Sequence, residues 1–238
     1  MLPDSPSMTR WHVAANQADW LARALALVAE AEVEALPARN EFHIVLAGGG
    51  TPRRLYQALA GEHHDWSRWQ IWFGDERCLP AGNAERNSHM AREAWLDHIA
   101  LPADNLHVIP AEQGAEQAAR AYSRELSGVG LFDLVLMGLG QDGHTASLFP
   151  GHDWGEVENS AAVLTVADAP KPPPERVSLS ADRLSRSRRG LFLVTGADKR
   201  EALARWRRGK PLPAAAIRPV AGVDVLMDPD ACPNGVKL

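Results

Sequence analysis

The chain has 238 residues, 45% of them hydrophobic and 23% charged, and a formal net charge of −5. Those values fit one large globular domain or two small ones and exclude a disordered chain. The acidic balance argues against nucleic-acid binding, which usually comes with a basic excess, yet leaves room for a small anionic ligand held by a local cluster of cations.

Residues 1–16 contain Asp4, Arg10 and two prolines but no apolar stretch, so no signal peptide is expected. Asn16 suits a helix N-cap with Asp19 at N3. Leu21, Leu25, Val28 and Val33 then approximate a 3.6-residue period, predicting a helix over 16–36. Glu30, Glu32 and Glu34 interrupt its apolar run and exclude a membrane span. Residues 42–47 read as a buried strand, followed by Gly48, Gly49, Gly50 and Thr51, with Pro52 opening a helix that ends near Gly61. A strand is expected over 69–73, a polar loop over 74–86, and helices over 87–99 and 112–127. Residues 132–137 form the clearest buried strand, closed by Gly138-Leu139-Gly140. Strands follow at 163–166, 176–179 and 191–195, a helix at 198–208 and a last strand at 223–227. Buried strands separated by helices predict a Rossmann-like α/β fold, a mainly parallel sheet with helices on both faces. No linker or repeat divides residues 1–238, so a single domain is expected.

In such sheets ligands bind beyond the carboxyl ends of the strands. Four loops there carry unusual chemistry. The glycines 48–50, leading into a helix, are either a tight turn or an anion cradle; they match neither the P-loop nor the dinucleotide fingerprint. Asp75, Glu76 and Arg77 close an apolar strand. They are either a solvated ion-pair loop or the wall of a polar cavity in which Arg77 holds an oxyanion and a neighbouring carboxylate orients it or acts as a base. Gly138 to Pro150 presents His144 among glycines, at the start of an expected short helix, with Asp142 near enough in sequence to hold its ring. Lys171 to Arg176, around three prolines, and Thr195 to Lys199 each place cations on a loop, as surface charge or as ligand arms.

Other chemistries lack their signatures. There is no Gly-x-Ser-x-Gly elbow, and His63-His64 lacks the spacing of a zinc protease. Cys78 and Cys232 fit neither a zinc site nor a disulfide framework and read as reduced thiols. A metal-independent reaction is expected.

Taken together and in order, Leu46 to Pro52, Gly74 to Arg77, the block from Gly138 through Asp142, His144 and Thr145 to Gly151, and Lys171 to Leu179 resemble the 6-phosphogluconolactonase family of the glucosamine-6-phosphate deaminase/isomerase superfamily. The likeness runs from about residue 10 to 228. It implies hydrolysis of 6-phospho-D-glucono-1,5-lactone in the oxidative pentose phosphate pathway, without a cofactor, in a cytoplasmic protein that is a monomer or weak homo-oligomer. His144 would be the general base, Asp142 its orienting partner and Arg77, with glycine-loop N–H groups, the oxyanion donor. Gly48, Gly49, Gly50, Thr51, Asp75, Asn87, Lys171, Arg176 and Lys199 would bind substrate, the phosphate falling to Lys199 and Arg176, or Lys171, with Thr51. Two departures stand out. The family commonly has serines where this chain has Ala47 and Gly50, and often Ser-Asn where it has Arg86-Asn87. Two alternatives are an amino-sugar-phosphate deaminase or isomerase, with Asp75 as enolising base, and a non-catalytic sugar-phosphate sensor. Neither a helix-turn-helix extension nor a basic patch is present to read DNA.

Overall fold

A computed structural model describes residues 8–233. The expectations for residues 1–7, and for a domain reaching to 238, lie in part outside the described residues. Strand β1 (Thr9–Val13) precedes helix α1 (Gln17–Arg39), β2 (Phe42–Leu46), α2 (Gly50–Leu59), β3 (Trp69–Phe73), β4 (Asp75–Arg77), α3 (Asn87–Ala94) and β5 (Leu106–His107). Then come α4 (Ala115–Glu125), β6 (Phe132–Met137), β7 (Val163–Val166), β8 (Arg176–Leu179), α5 (Ala181–Ser185), β9 (Ser187–Val194), α6 (Arg200–Arg207) and β10 (Val223–Met227).

Seven strands form one parallel sheet in the order β1-β10-β9-β6-β2-β3-β5. Every residue of central β6 is buried, so both faces of the sheet are covered, as a strand apolar at every position but Asp133 requires. The strands expected at 163–166 and 176–179 leave this layer. With β4, found inside the segment read as a loop, they make a separate antiparallel sheet, β4-β8-β7. The register sets Asp75 opposite Ser178 and Arg77 opposite Arg176, which stacks two of the sequence's chemical loops beside one another.

Helix α1 starts as its cap residues dictate: the Asn16 carboxamide accepts the Asp19 N–H at 3.0 Å. It runs past its expected end and through Pro37, closing when Asn40, in a left-handed conformation, returns its N–H to Leu36 O at 2.8 Å. Its buried stripe is Trp20, Ala24, Val28, Ala31 and Ala35, whereas Val33 is 69% exposed. Small alanines at the contact let the helix sit close to the sheet, and a count of large apolar residues misses them. Helix α3 is shorter than expected, stopping at Ala94 before a single 3-10 turn, Leu96–His98. Likewise α4 begins only at Ala115, after the turn Ala111–Gln113.

Candidate active site

The loops beyond the carboxyl ends of β2, β3, β6 and β9 meet the β4–β8 edge around an open cleft of about 290 Å³. Gly48, Gly49, Asp75, Arg77, Asn87, His144, Lys171, Arg176 and Lys199 line it. Asp142 stands behind His144. Gly50 and Thr51 do not line the cleft; the Thr51 hydroxyl instead meets that of Thr195 at 2.7 Å, tying the start of α2 to the end of β9.

His144 follows the fully buried β6, but the short helix expected to begin there is absent. Gly140 donates to His144 O at 2.8 Å and Leu148 to Thr145 O at 2.9 Å, folding the segment into consecutive turns with Ala146 at φ 47°. The turns bring the ring back over the loop, with Nδ1 2.5 Å from Asp142 Oδ1 and the backbone N–H of His144 on the same oxygen at 3.1 Å. This contact is possible because residue 140 has no side chain: a Cβ there would lie 2.0 Å from His144 Nδ1. With an acidic partner on Nδ1, that nitrogen carries the proton and Nε2 keeps its lone pair. Burial pushes the imidazole below the ordinary histidine pKa; the Asp142 charge pulls the other way, and Lys171 adds to the depression. Burial alone would raise Asp142, but the backbone N–H and the ring of His144 hold it below the usual carboxylate range. The pair therefore presents a neutral, oriented base at neutral pH.

Arg77 Nη1 donates to the Glu85 carbonyl, and its Nε is buried without a partner among the described residues. Neither neighbouring acid orients its guanidinium. Glu76 points inward and accepts the N–H groups of Arg77 (2.9 Å), Asn87 (2.7 Å) and Ser88 (2.9 Å), which makes it the anionic cap of α3. Arg86, 2% exposed, turns away from the cleft to bind Glu112 at 2.7 Å and Ile109 O at 2.8 Å, with its Nε 3.4 Å from Glu76. That departure from the family pattern is a buried structural cation.

The remaining cations differ in freedom. Arg176, 5% exposed, donates to Pro173 O (3.0 Å) and Lys171 O (2.9 Å), stitching the triproline loop; burial lowers its pKa. Its Nη1 has no protein acceptor among the described residues. Lys199 Nζ pairs with Asp198 at 2.8 Å, and Gln141 donates to the same carboxylate at 3.0 Å. Lys171 is exposed at the rim.

Two further residues, one in the cleft wall and one bonded to that wall, escaped the sequence reading. Thr145 lines the cleft, with its hydroxyl buried and unpartnered among the described residues. Ser147 donates to Asp75 Oδ2 at 2.6 Å. Both lie inside the block that carries His144, yet nothing in residue type or spacing marks them, because the Ser147 contact closes over 72 residues. Among the described residues no group of three or more His, Cys, Asp or Glu side chains could hold a metal ion, and no helix is long and apolar enough to cross a membrane.

Fold and site together define an α/β protein in which a histidine–aspartate pair and several cations meet at one cleft beyond the carboxyl ends of a parallel sheet. The chain belongs to the family of glucosamine-6-phosphate isomerases/6-phosphogluconolactonase, whose profile matches residues 15–226. It is 38% identical over 217 residues to a 6-phosphogluconolactonase of Streptomyces coelicolor, covering 82% of this chain and 83% of that one. It is 40% identical over 202 residues to the Mycobacterium leprae 6-phosphogluconolactonase, covering 79% and 80%. Among solved structures, 6-phosphogluconolactonase from Thermotoga maritima superposes with a TM-score of 0.86 at 26% identity, over 93% of this chain and all of that one.

Proposed function

We infer that this chain is a 6-phosphogluconolactonase, an enzyme of the oxidative pentose phosphate pathway that hydrolyses the phosphosugar lactone to 6-phosphogluconate. The observation that carries the mechanism is the His144–Asp142 pair, with its free Nε2 at a cleft walled by Arg77, Lys171, Arg176 and Lys199. Nε2 takes a proton from a water as its oxygen attacks the lactone carbonyl. Arg77, on the cleft wall, stabilises the resulting oxyanion together with N–H groups of the glycine loop. As the carbonyl re-forms, the bond to the ring oxygen breaks and the imidazolium returns its proton to that oxygen, leaving a carboxyl group and a hydroxyl. Lys171, Lys199 and the free Nη1 of Arg176 seat the phosphate. Both side-chain oxygens of Asp75 already accept hydrogen bonds, which favours a fixed acceptor over an enolising base.

The test is a coupled assay in which glucose-6-phosphate dehydrogenase generates the lactone in place and spontaneous opening is the blank. Folded protein that fails to exceed the blank sinks the reading. His144→Ala is expected to lose about 10²–10⁴-fold of the enzymatic rate, the usual worth of acid–base assistance.

A further inference from the structure

The acid–base step leaves Asp75 without a task, although this side chain, 5% exposed on the cleft wall, is gripped from two sides. Asn87 Nδ2 donates to Oδ1 at 3.0 Å and Ser147 Oγ to Oδ2 at 2.6 Å. Each donor is itself fixed. Asn87 Nδ2 also binds the Asp75 carbonyl at 2.9 Å, and its amide fills the space of an absent side chain: a Cβ on Gly48 would lie 1.9 Å from Asn87 Oδ1. Ser147 donates its backbone N–H to Ser178 Oγ at 3.3 Å, and Ser178 is the cross-strand partner of Asp75. Although four cations line the same cleft, the side-chain partners of this carboxylate among the described residues are Asn87 and Ser147 alone.

An ionised carboxylate only accepts hydrogen bonds and has about four lone-pair sites. One donor on each oxygen leaves about two sites open, held in a fixed direction at a cleft wall. Asp75 lines the same cleft as the base, and its charge is felt at the His144 ring. On a polyhydroxy lactone the donor nearest the attacked carbon is the hydroxyl on the adjacent carbon. We propose that Asp75 is the acceptor for that hydroxyl, setting specificity for it, and that Ser147 is the positioning residue that aims Asp75. The proposal rests on the lactonase reading above.

The experiment compares kcat/KM for the phospholactone and for its counterpart lacking that one hydroxyl, each made in place by the dehydrogenase from the matching sugar phosphate. A site built around a substrate hydroxyl rejects the analogue lacking it, and wild type is expected to favour the full lactone at least ~100-fold. Ser147→Ala and Asp75→Asn should each cut this preference about tenfold, the scale of a weakened hydrogen bond to a charged group. A general structural fault would slow both lactones alike and leave the ratio unchanged. Equal wild-type rates on the two lactones overturn the proposal without any variant, and full preference retained in S147A overturns the part given to Ser147. Should S147A not fold, the wild-type and D75N ratios decide. If wild type opens neither lactone faster than the blank, the lactonase reading itself is what has failed, and this proposal falls with it.

Discussion

Replacing Gly140 by alanine isolates the geometry of the base from its chemistry. The backbone at 140 is not in the positive-φ region, so an alanine can take it without strain. The added Cβ would stand 2.0 Å from His144 Nδ1, 2.2 Å from Cε1 and 2.6 Å from Asp142 Oδ1, against 3.4–4 Å for ordinary contact. The ring must therefore retreat by roughly 1 Å or more, and a misplacement of that size in a reacting group costs about 10²-fold in rate. Both catalytic side chains remain chemically intact, and the turn bond from Gly140 N–H to His144 O can persist. The assay is steady-state lactone opening above the spontaneous blank, alongside thermal unfolding to show that G140A folds. The expected result is a fall in kcat of about two orders of magnitude with KM nearly unchanged. A folded G140A with wild-type kcat would refute the claim that His144 in its Asp142-bound position is the base.

Three other outcomes follow from the same contacts. Because burial holds the His144 pKa down, the base stays neutral as pH falls to the ordinary histidine value of 6.5, and the acid limb of kcat/KM should lie below that value. Asp142→Asn removes a charge that raises this pKa, so the limb should move lower still while the plateau rate drops; a limb above 6.5 in wild type contradicts the assignment. Arg86→Ala leaves the buried Glu76 carboxylate without its cation and is expected to cost about 3–5 kcal/mol in urea unfolding; a loss below about 1 kcal/mol would show that the helix cap alone satisfies Glu76. Burial would raise the pKa of Asp224 on β10, but its bonds to Arg10 (2.7 and 2.6 Å) and His12 (2.7 Å) hold it below the ordinary 3.8. That stabilisation is complete above 3.8 and is lost as pH falls through the lowered folded-state value. Asp224→Asn should thus be less stable than wild type at neutral pH by an amount that shrinks in acid, as unfolding titrations can read; a gap that widens in acid would be inconsistent with the ion pair.

The parallel layer was legible because buried strands write mostly apolar runs and glycines punctuate their ends, as at residues 132–140, where Asp133 is the one charge. What escaped was set by partners distant in sequence. Strand β1 looks like an unremarkable N-terminal stretch, since Trp11 and Val13 become strand residues only by pairing with β10. Strand β4 is polar because it borders the cleft, and its pairing with β8 supplies the order that its composition does not. Glycine framing pointed to the His144 loop, which lines the cleft, but the tight turn through Ala146 was hidden, because alanine is not a residue expected at positive φ. The cations came together as expected from their loops, whereas the inward turn of Glu76 and Arg86 depends on the unsatisfied N–H groups at the start of α3, which residue type alone does not reveal.

The departures at the glycine loop acquire a physical meaning from these contacts. Ala47, in one of the family's serine places, receives the Tyr56 hydroxyl on both its backbone atoms, at 2.9 Å on N–H and 2.8 Å on C=O, so the strand end stays anchored without a serine hydroxyl. Gly50, in the other, lies outside the cleft lining, and a hydroxyl lost there is not taken from the cleft wall. Thr51, the remaining hydroxyl of the segment, already shares its hydrogen bond with Thr195. With the loop's hydroxyls absent or engaged, the lactonase reading assigns anion binding to fixed positive charge and backbone N–H. Arg176 is desolvated and committed to loop carbonyls through two of its three nitrogens, while Lys171 is exposed and Lys199 is paired with a half-exposed aspartate. A dianionic phosphate can draw Lys199 from that surface pair at little cost, because such pairs contribute about 0–1 kcal/mol. An acidic protein thereby assembles a cationic seat from loops of both sheets, and the antiparallel sheet that the strand pattern concealed supplies Arg77 and Arg176 to it.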